Sequence, residues 1–137
     1  MADKKISQLT AVTVLDGTEP LPLVQSGTTK KATVSQVLTG QLITEATTTR
    51  TLSATDNGKI IYCTSGSATT ITCGTGLSVG FNATIIQGGA GKVTLAAGAA
   101  TLNSYSELLS TMGQYACISV ISPVAGQFIA AGNLGSP

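Results

Sequence analysis

The chain has 137 residues, 42% of them hydrophobic and only 9% charged, with seven basic residues against six acidic ones and no histidine. A length of this kind fits one domain-sized core and excludes two large domains. A balanced charge leaves no field to steer the protein toward nucleic acid, an anionic membrane or an acidic substrate. Without histidine, Ser-His-Asp and Cys-His catalysis, most zinc sites and the usual near-neutral acid–base group are removed together.

An ordinary soluble domain is about 25% charged, so hydration here falls to Thr, Ser and Gly, as in Thr47-Thr48-Thr49 and Ser65-Gly66-Ser67. A neutral chain this apolar self-associates unless much of its apolar surface is covered, which predicts an oligomer or a permanent partner. The start, Met1 to Ile6, lacks the apolar core of a secretory signal, and no later stretch reaches the roughly 20 apolar residues that span a bilayer. Synthesis in a cytoplasm, with no membrane partner, is the expectation. Cys63, Cys73 and Cys117 are odd in number and contain no Cys-x-x-Cys pair. They read as thiols packed like small hydrophobes, with a Cys63–Cys73 bridge as the alternative.

In chain order, residues 1–46 read as an N-terminal attachment arm holding four of the seven basic residues, Lys4, Lys5, Lys30 and Lys31. Leu21, Leu23 and Gln25 alternate with Pro22 and Val24 in an extended run, and Ser26-Gly27-Thr28 turns the chain into Lys30–Val34. That is a β-hairpin or an edge ribbon, since prolines are tolerated where no ladder N–H is needed. Thr33 followed by Gln36 fits a capping box, predicting one short helix from Val34 to about Leu38, ended by Gly40.

Residues 47–137 read as an all-β domain, a β-sandwich or barrel of about seven short strands. Strand signals recur at the spacing of such folds over 48–52, 59–64, 69–73, 82–87, 92–96, 115–122 and 127–131. Asp56-Asn57-Gly58 and Gly88-Gly89-Ala90-Gly91 supply the positive φ angles that reversals need. Leu108, Leu109 and Met112 stand at helical spacing, so Ser104–Met112 is expected to form a helical turn that plugs one open end.

The chemistry that can be assembled is thin. Asp56 and Glu107 are the carboxylates a histidine-free hydrolase would need to bring together, yet one belongs to a turn signal and the other to the expected helical turn. Gly88 to Lys92 is similar to a phosphate-binding loop, but Ile86 replaces its first glycine and Val93 its magnesium-reaching Ser or Thr. The lysine pairs lack the aromatic platform that nucleic-acid binding uses, and read instead as a guarded edge strand or as rim contacts for a protein partner. Tyr62, Tyr105 and Tyr115 are candidates to stack on sugar rings, against the plainer reading of strand packing. No catalytic residue, cofactor site or metal site is expected.

Lys5-Ile6-Ser7-Gln8-Leu9-Thr10, then Leu15-Asp16-Gly17-Thr18-Glu19, then the run from Leu21 to Thr33, resemble a segment that often begins structural proteins of tailed bacteriophages. The phrases Asp56-Asn57-Gly58-Lys59, Gly80-Phe81, Ile86 to Leu95, Leu102-Asn103-Ser104 and Gly113-Gln114-Tyr115-Ala116 resemble a β module of phage tail-fibre and head-decoration proteins. Similar tail fibres usually continue into a long shaft, and a chain that stops at Pro137 favours a decoration, or cement, protein.

The resemblance implies a non-enzymatic virion protein on the capsid surface, a homotrimer that binds the major capsid protein and stabilises the head. The alternative it leaves is a tail-associated fibre or adaptor whose β module binds a host glycan or receptor. Ile6, Leu9, Leu21, Leu23 and Val24 are the arm's candidate capsid anchors, with Lys30 and Lys31 as rim contacts. The opposing reading packs those apolar residues against the chain's own sandwich.

Overall fold

The computed structural model describes residues 20–33 and 41–136, and the chain divides into two units, 1–39 and 40–137. The expected helix over Val34–Leu38 lies outside the described residues.

In the first unit, β1 (Pro20–Gln25) and β2 (Thr28–Thr33) pair antiparallel around a two-residue turn, Ser26-Gly27, whose φ angles are 51° and 73°. Left-handed values at both central residues match the right-handed twist of the flanking strands. Gln25 and Thr28 close the turn as a hydrogen-bonded pair. Alternation then puts Pro20 and Pro22, paired with Thr33 and Lys31, at positions whose N–H would face away from the partner strand. The hairpin expected from the sequence is present, and this register is why it tolerates two prolines.

The second unit is built from β3 (Leu42–Glu45), β4 (Thr49–Thr51), β5 (Lys59–Cys63), β6 (Thr69–Thr72), β7 (Asn82–Gln87), β8 (Val93–Ala96), β9 (Thr101–Ser104), β10 (Ser110–Thr111), β11 (Cys117–Val124), β12 (Gln127–Gly132) and β13 (Leu134–Gly135). They form a six-stranded sheet, ordered β3-β5-β7-β11-β12-β9, and a five-stranded sheet, ordered β13-β10-β8-β6-β4. The described residues thus hold thirteen strands, two in the hairpin and eleven here, against about seven expected beyond the hairpin. The seven expected segments correspond to β4, β5, β6, β7, β8, β11 and β12. The additional β3 lies inside what the sequence reads as arm, β9 spans residues outside any expected strand, and β10 and β13, of two residues each, are too short to show a period.

The connectivity is that of a short solenoid. The chain passes from β3 to β4, from β5 to β6 and from β7 to β8, each time crossing from one sheet to the other. Successive coils stack in parallel: Ile43 beside Ile61 beside Ile85 in one sheet, Arg50 beside Ile71 beside Leu95 in the other. The remaining strands close the sandwich, with β11 antiparallel to β7 and β10 antiparallel to β8.

Two features of the sequence reading change accordingly. Gly88, Gly89 and Gly91 do not reverse a hairpin, because β7 and β8 lie in different sheets, and none of the three has a positive φ. They permit close approach: a Cβ would strike the Tyr62 ring at Gly88, the Thr64 and Ser65 carbonyls at Gly89 and the Ser67 carbonyl at Gly91. The corner of the third coil sits directly on that of the second. The amides of Gly88 and Gly89 donate to the Cys63 carbonyl at 2.8 and 2.9 Å, and that of Gly91 to the Ser65 carbonyl at 3.0 Å, so they are engaged and cannot cradle a phosphate.

The expected helical turn over Ser104–Met112 is likewise absent. A single 3-10 turn, Tyr105–Glu107, is followed by strand β10, because Ser106 and Glu107 adopt left-handed φ values of 57° and 59° that no right-handed helix admits.

The core lies between the sheets. Ile61, Ile85 and Ile118 stand beside one another across β5, β7 and β11, all fully buried. Phe81 and Phe128 meet edge to face with centroids 6.3 Å apart. One polar node crosses the interior: Thr111 donates to the Gln87 side-chain oxygen and accepts from the Val93 N–H at 3.0 Å, all buried.

Candidate attachment surfaces and clefts

Of the residues expected to anchor the arm, Ile6 and Leu9 lie outside the described residues. Leu21 and Val24 stand on β1, 36% and 74% exposed. Leu23 is also on β1, in register with Lys30, and Lys30 and Lys31 are exposed on β2. Leu21 and Val24 alternate, so they face opposite sides of the ribbon. The hairpin therefore offers apolar side chains on both faces rather than one amphipathic surface.

In the second unit the two sheets differ sharply on their outward faces. Along β6 and β8 the outward positions are Thr70, Thr72, Thr94 and Ala96; Thr49 and Thr51 continue them on β4. Thr94 shares a 2.9 Å hydroxyl hydrogen bond with Ser110 of β10. The six-stranded sheet turns Ile60 and Tyr62 outward on β5, Thr84 and Ile86 on β7, Cys117, Ser119 and Ile121 on β11, and Ile129 on β12. Ile121 and Ile129 are directly opposed across β11 and β12, and are 43% and 44% exposed.

Three of this unit's six charged residues gather at one end. Arg50, on β4, reaches Glu45 of β3 at 2.8 Å with one guanidinium nitrogen and Asp56 at 2.6 Å with the other. Glu45 also accepts from the Thr47 N–H at 2.9 Å and the Thr47 hydroxyl at 2.6 Å, and Asp56 accepts from the Ser53 N–H at 2.8 Å. The Thr47 hydroxyl and the Arg50 guanidinium pull the Glu45 carboxyl down to about 2. Burial alone would raise Asp56, but the Ser53 N–H and Arg50 outweigh it and leave its carboxyl below the ordinary value. Glu45 raises the pKa of Arg50 in turn, so the triad stays fully ionised through the physiological range. Inward charges on the edge strands β3 and β4 give the core a polar end, which discourages another strand from adding there.

That arrangement commits Asp56 to a structural role in the fold. Glu107 follows β9, at the far edge of the six-stranded sheet, four strand positions from β5. At about 4.8 Å per strand the separation is roughly 19 Å, well beyond the distances at which paired carboxylates cleave glycosides. Among the described residues no group of three or more His, Cys, Asp or Glu side chains is placed to hold a metal ion. Cys63 and Cys73 are buried free thiols, each pushed up to about 11 by burial, while Cys117 is half-buried in the outward face of β11.

Two clefts open on the sandwich, one beside β9 and one beside the end of β7. One, of about 380 Å³, is lined by Leu102, Asn103, Ser104, Glu107 and Leu109. The Ser104 hydroxyl oxygen is buried without a hydrogen-bond partner, and Tyr105 next to it is 89% exposed. The other, of about 330 Å³, is lined by Met112, Gly113, Gln114, Tyr115, Ala116 and Asn133, with Tyr115 72% exposed at a φ of 68°. Of the three tyrosines read as possible sugar platforms, Tyr62 lies over Gly88 in the sheet face, whereas Tyr105 and Tyr115 stand beside clefts. The left-handed backbone at Ser106, Glu107 and Tyr115 has no sequence signature, because these residue types rarely mark such positions. No family model matches the chain, and no curated protein sequence matches it.

Proposed function

We propose that this chain is a non-enzymatic structural protein of a tailed-bacteriophage particle, a head-decoration protein that self-assembles, as a trimer, on the major capsid protein. The resemblance carried by Lys5–Thr33 and by the phrases between Asp56 and Ala116 supplies the particle. The observation that carries the mechanical role is the division of labour in the chain: a small hairpin unit with Val24 and the Lys30-Lys31 pair exposed, and a separate sandwich with an uncharged apolar outer face. One unit suits attachment and the other self-assembly. Three linked arms would hold a lattice by multivalency, since each bound arm raises the effective concentration of the next.

The test is solution mass by light scattering, followed by incubation with undecorated heads. A trimer that binds heads and raises the temperature at which they rupture is the expected result. A trimer that leaves heads untouched, with density at the tail in micrographs of the particle, would replace this reading with the tail-adaptor one.

That second reading draws on the cleft beside Tyr105. The Glu107 carboxylate, the Asn103 amide and an unpartnered Ser104 hydroxyl line it, and the exposed Tyr105 ring follows Ser104 in the chain; groups of these kinds recognise a polyhydroxylated ligand. A glycan panel that shifts tyrosine fluorescence in the native chain but not in Tyr105→Ala would support it.

A further inference from the structure

About half of the outward positions of the six-stranded sheet are apolar, Leu42, Ile60, Tyr62, Ile86, Ile121 and Ile129 among them, and the rest are uncharged Thr, Ser, Asn and Gln. β5 carries the apolar run Ile60-Ile61-Tyr62-Cys63, a pattern that belongs to strands covered on both sides, and β7 sets Ile85 and Ile86 on opposite faces. The sandwich covers one side only. Register sets the outward residues beside one another as Leu42 by Ile60, Tyr62 by Ile86 by Cys117, and Ile121 by Ile129. Not one outward position of the six strands bears a charge: Lys59, on β5, is in register with the inward Ala83, and Glu107 lies beyond the end of β9.

From this we infer that the outward face of the six-stranded sheet is where one copy of the chain packs on another. The occupant follows from charge and area. A heterologous partner is usually selected by complementary charges, and this face offers none to complement. Against its own copy the same lack of charge is an advantage, because no like charges are brought together when the patch meets itself. Six strands at about 4.8 Å, each presenting about five residues at roughly 3.3 Å, give on the order of 500 Å² per copy. Two copies then bury about 1,000 Å², the size at which a specific interface separates from incidental packing. The inference bears on the self-assembly part of the proposed function: a patch that meets itself makes a two-fold contact, so the oligomer expected from this surface is a dimer, which would replace the trimer of that reading.

The face contains its own reporter. Cys63 and Cys73 are buried inside the sandwich, and Cys117 is the thiol in the outward face. The full chain is labelled with a bulky maleimide at a concentration where light scattering reads an oligomer, and compared with Ile121→Lys/Ile129→Lys, which sets two like charges on the directly opposed pair. The expected result is Cys117 labelling at least about tenfold slower in the native chain, a monomer for the double variant, and an unchanged oligomer for Thr70→Lys/Thr94→Lys on the other sheet. A native oligomer whose Cys117 reacts at the rate of a small-molecule thiol overturns the inference without any substitution, so a double variant that fails to fold does not shelter it. A native chain that stays monomeric up to millimolar concentration also overturns it. Head binding is scored separately. An oligomer with protected Cys117 that ignores heads would remove the virion reading and keep this one, and a monomer that binds heads through its arm would do the reverse.

Discussion

The two sheets share an interior and differ outside it. Inward, both present aliphatic residues in aligned rows, Ile61, Ile85 and Ile118 on one side and Ile71 and Leu95 on the other. Outward, the five-stranded sheet is a surface of threonines, whose hydroxyls bond water or one another, as Thr94 does Ser110. The six-stranded sheet instead sets isoleucine, tyrosine and cysteine among its threonine, serine and asparagine. Both outer surfaces are almost without charge, so the difference lies in hydroxyl against methyl. A chain can therefore stay soluble on one face and adhesive on the other without spending a charged residue on either, provided the adhesive face finds a flat and equally neutral partner.

The largest effect that tests this contrast comes from two neighbours on β7. Ile85→Ala, inward and fully buried, is expected to lower unfolding free energy by about 3–4 kcal/mol in denaturant titration. Ile86→Ala, outward and half-buried, is expected to cost about 1 kcal/mol or less in dilute solution. A greater loss for Ile86→Ala at high protein concentration would show that the face is covered in the assembled state.

Next comes the ionic end. Arg50→Ala leaves Glu45 and Asp56 inward without their cation, and a loss of about 3 kcal/mol is expected, at the lower end for a broken buried pair because the Arg50 side chain is 23% exposed. The triad also fixes a pH dependence. Glu45 is lowered from 4.5 to about 2, and Asp56 is lowered too, so both bind protons more readily in the unfolded chain. Their contribution is complete above about pH 4.5 and is lost as pH falls toward 2. Melting temperature should be flat from pH 5 to 7 and decline below, with the decline blunted in Glu45→Gln.

Thr111→Val is expected to cost about 1–3 kcal/mol by leaving the Gln87 side-chain oxygen and the Val93 N–H unsatisfied inside. Smallest is Thr70→Lys on the hydrated sheet, expected within about 0.5 kcal/mol in chemical denaturation. A marked loss there would mean that the threonine surface is also an interface, and the contrast between the faces would fail.

Much of the architecture was legible in the residues. Strand signals at β4 to β8, β11 and β12 rest on β-branched runs bounded by Gly, Asn and Ser, and the hairpin on a proline-containing run with a Ser-Gly turn. The coiling was not legible. Aligned positions Leu42, Ile60 and Thr84 are unequally spaced along the chain, because corner loops differ in length from coil to coil, and a repeat without a fixed period leaves no trace in a single sequence. For the same reason Gly88 to Gly91 reads as a reversal: a glycine chosen for close approach to a neighbouring coil looks the same as one chosen for a positive φ.

What the sequence determined alone was therefore chemical and local. It settled that no histidine-based site can exist, that the fold is built from short strands, and that those strands are apolar enough to bury one of their surfaces in a core. Only the tertiary structure decided which surface. Alternation says that Ile85 and Ile86 point to opposite sides, but strands rich in Thr and Ile are apolar enough on both sides for either to serve as the core. The choice is made when the second sheet closes over one face, since burying Ile85 against Leu95 and its neighbours necessarily leaves Ile86, Cys117 and Ile121 facing out.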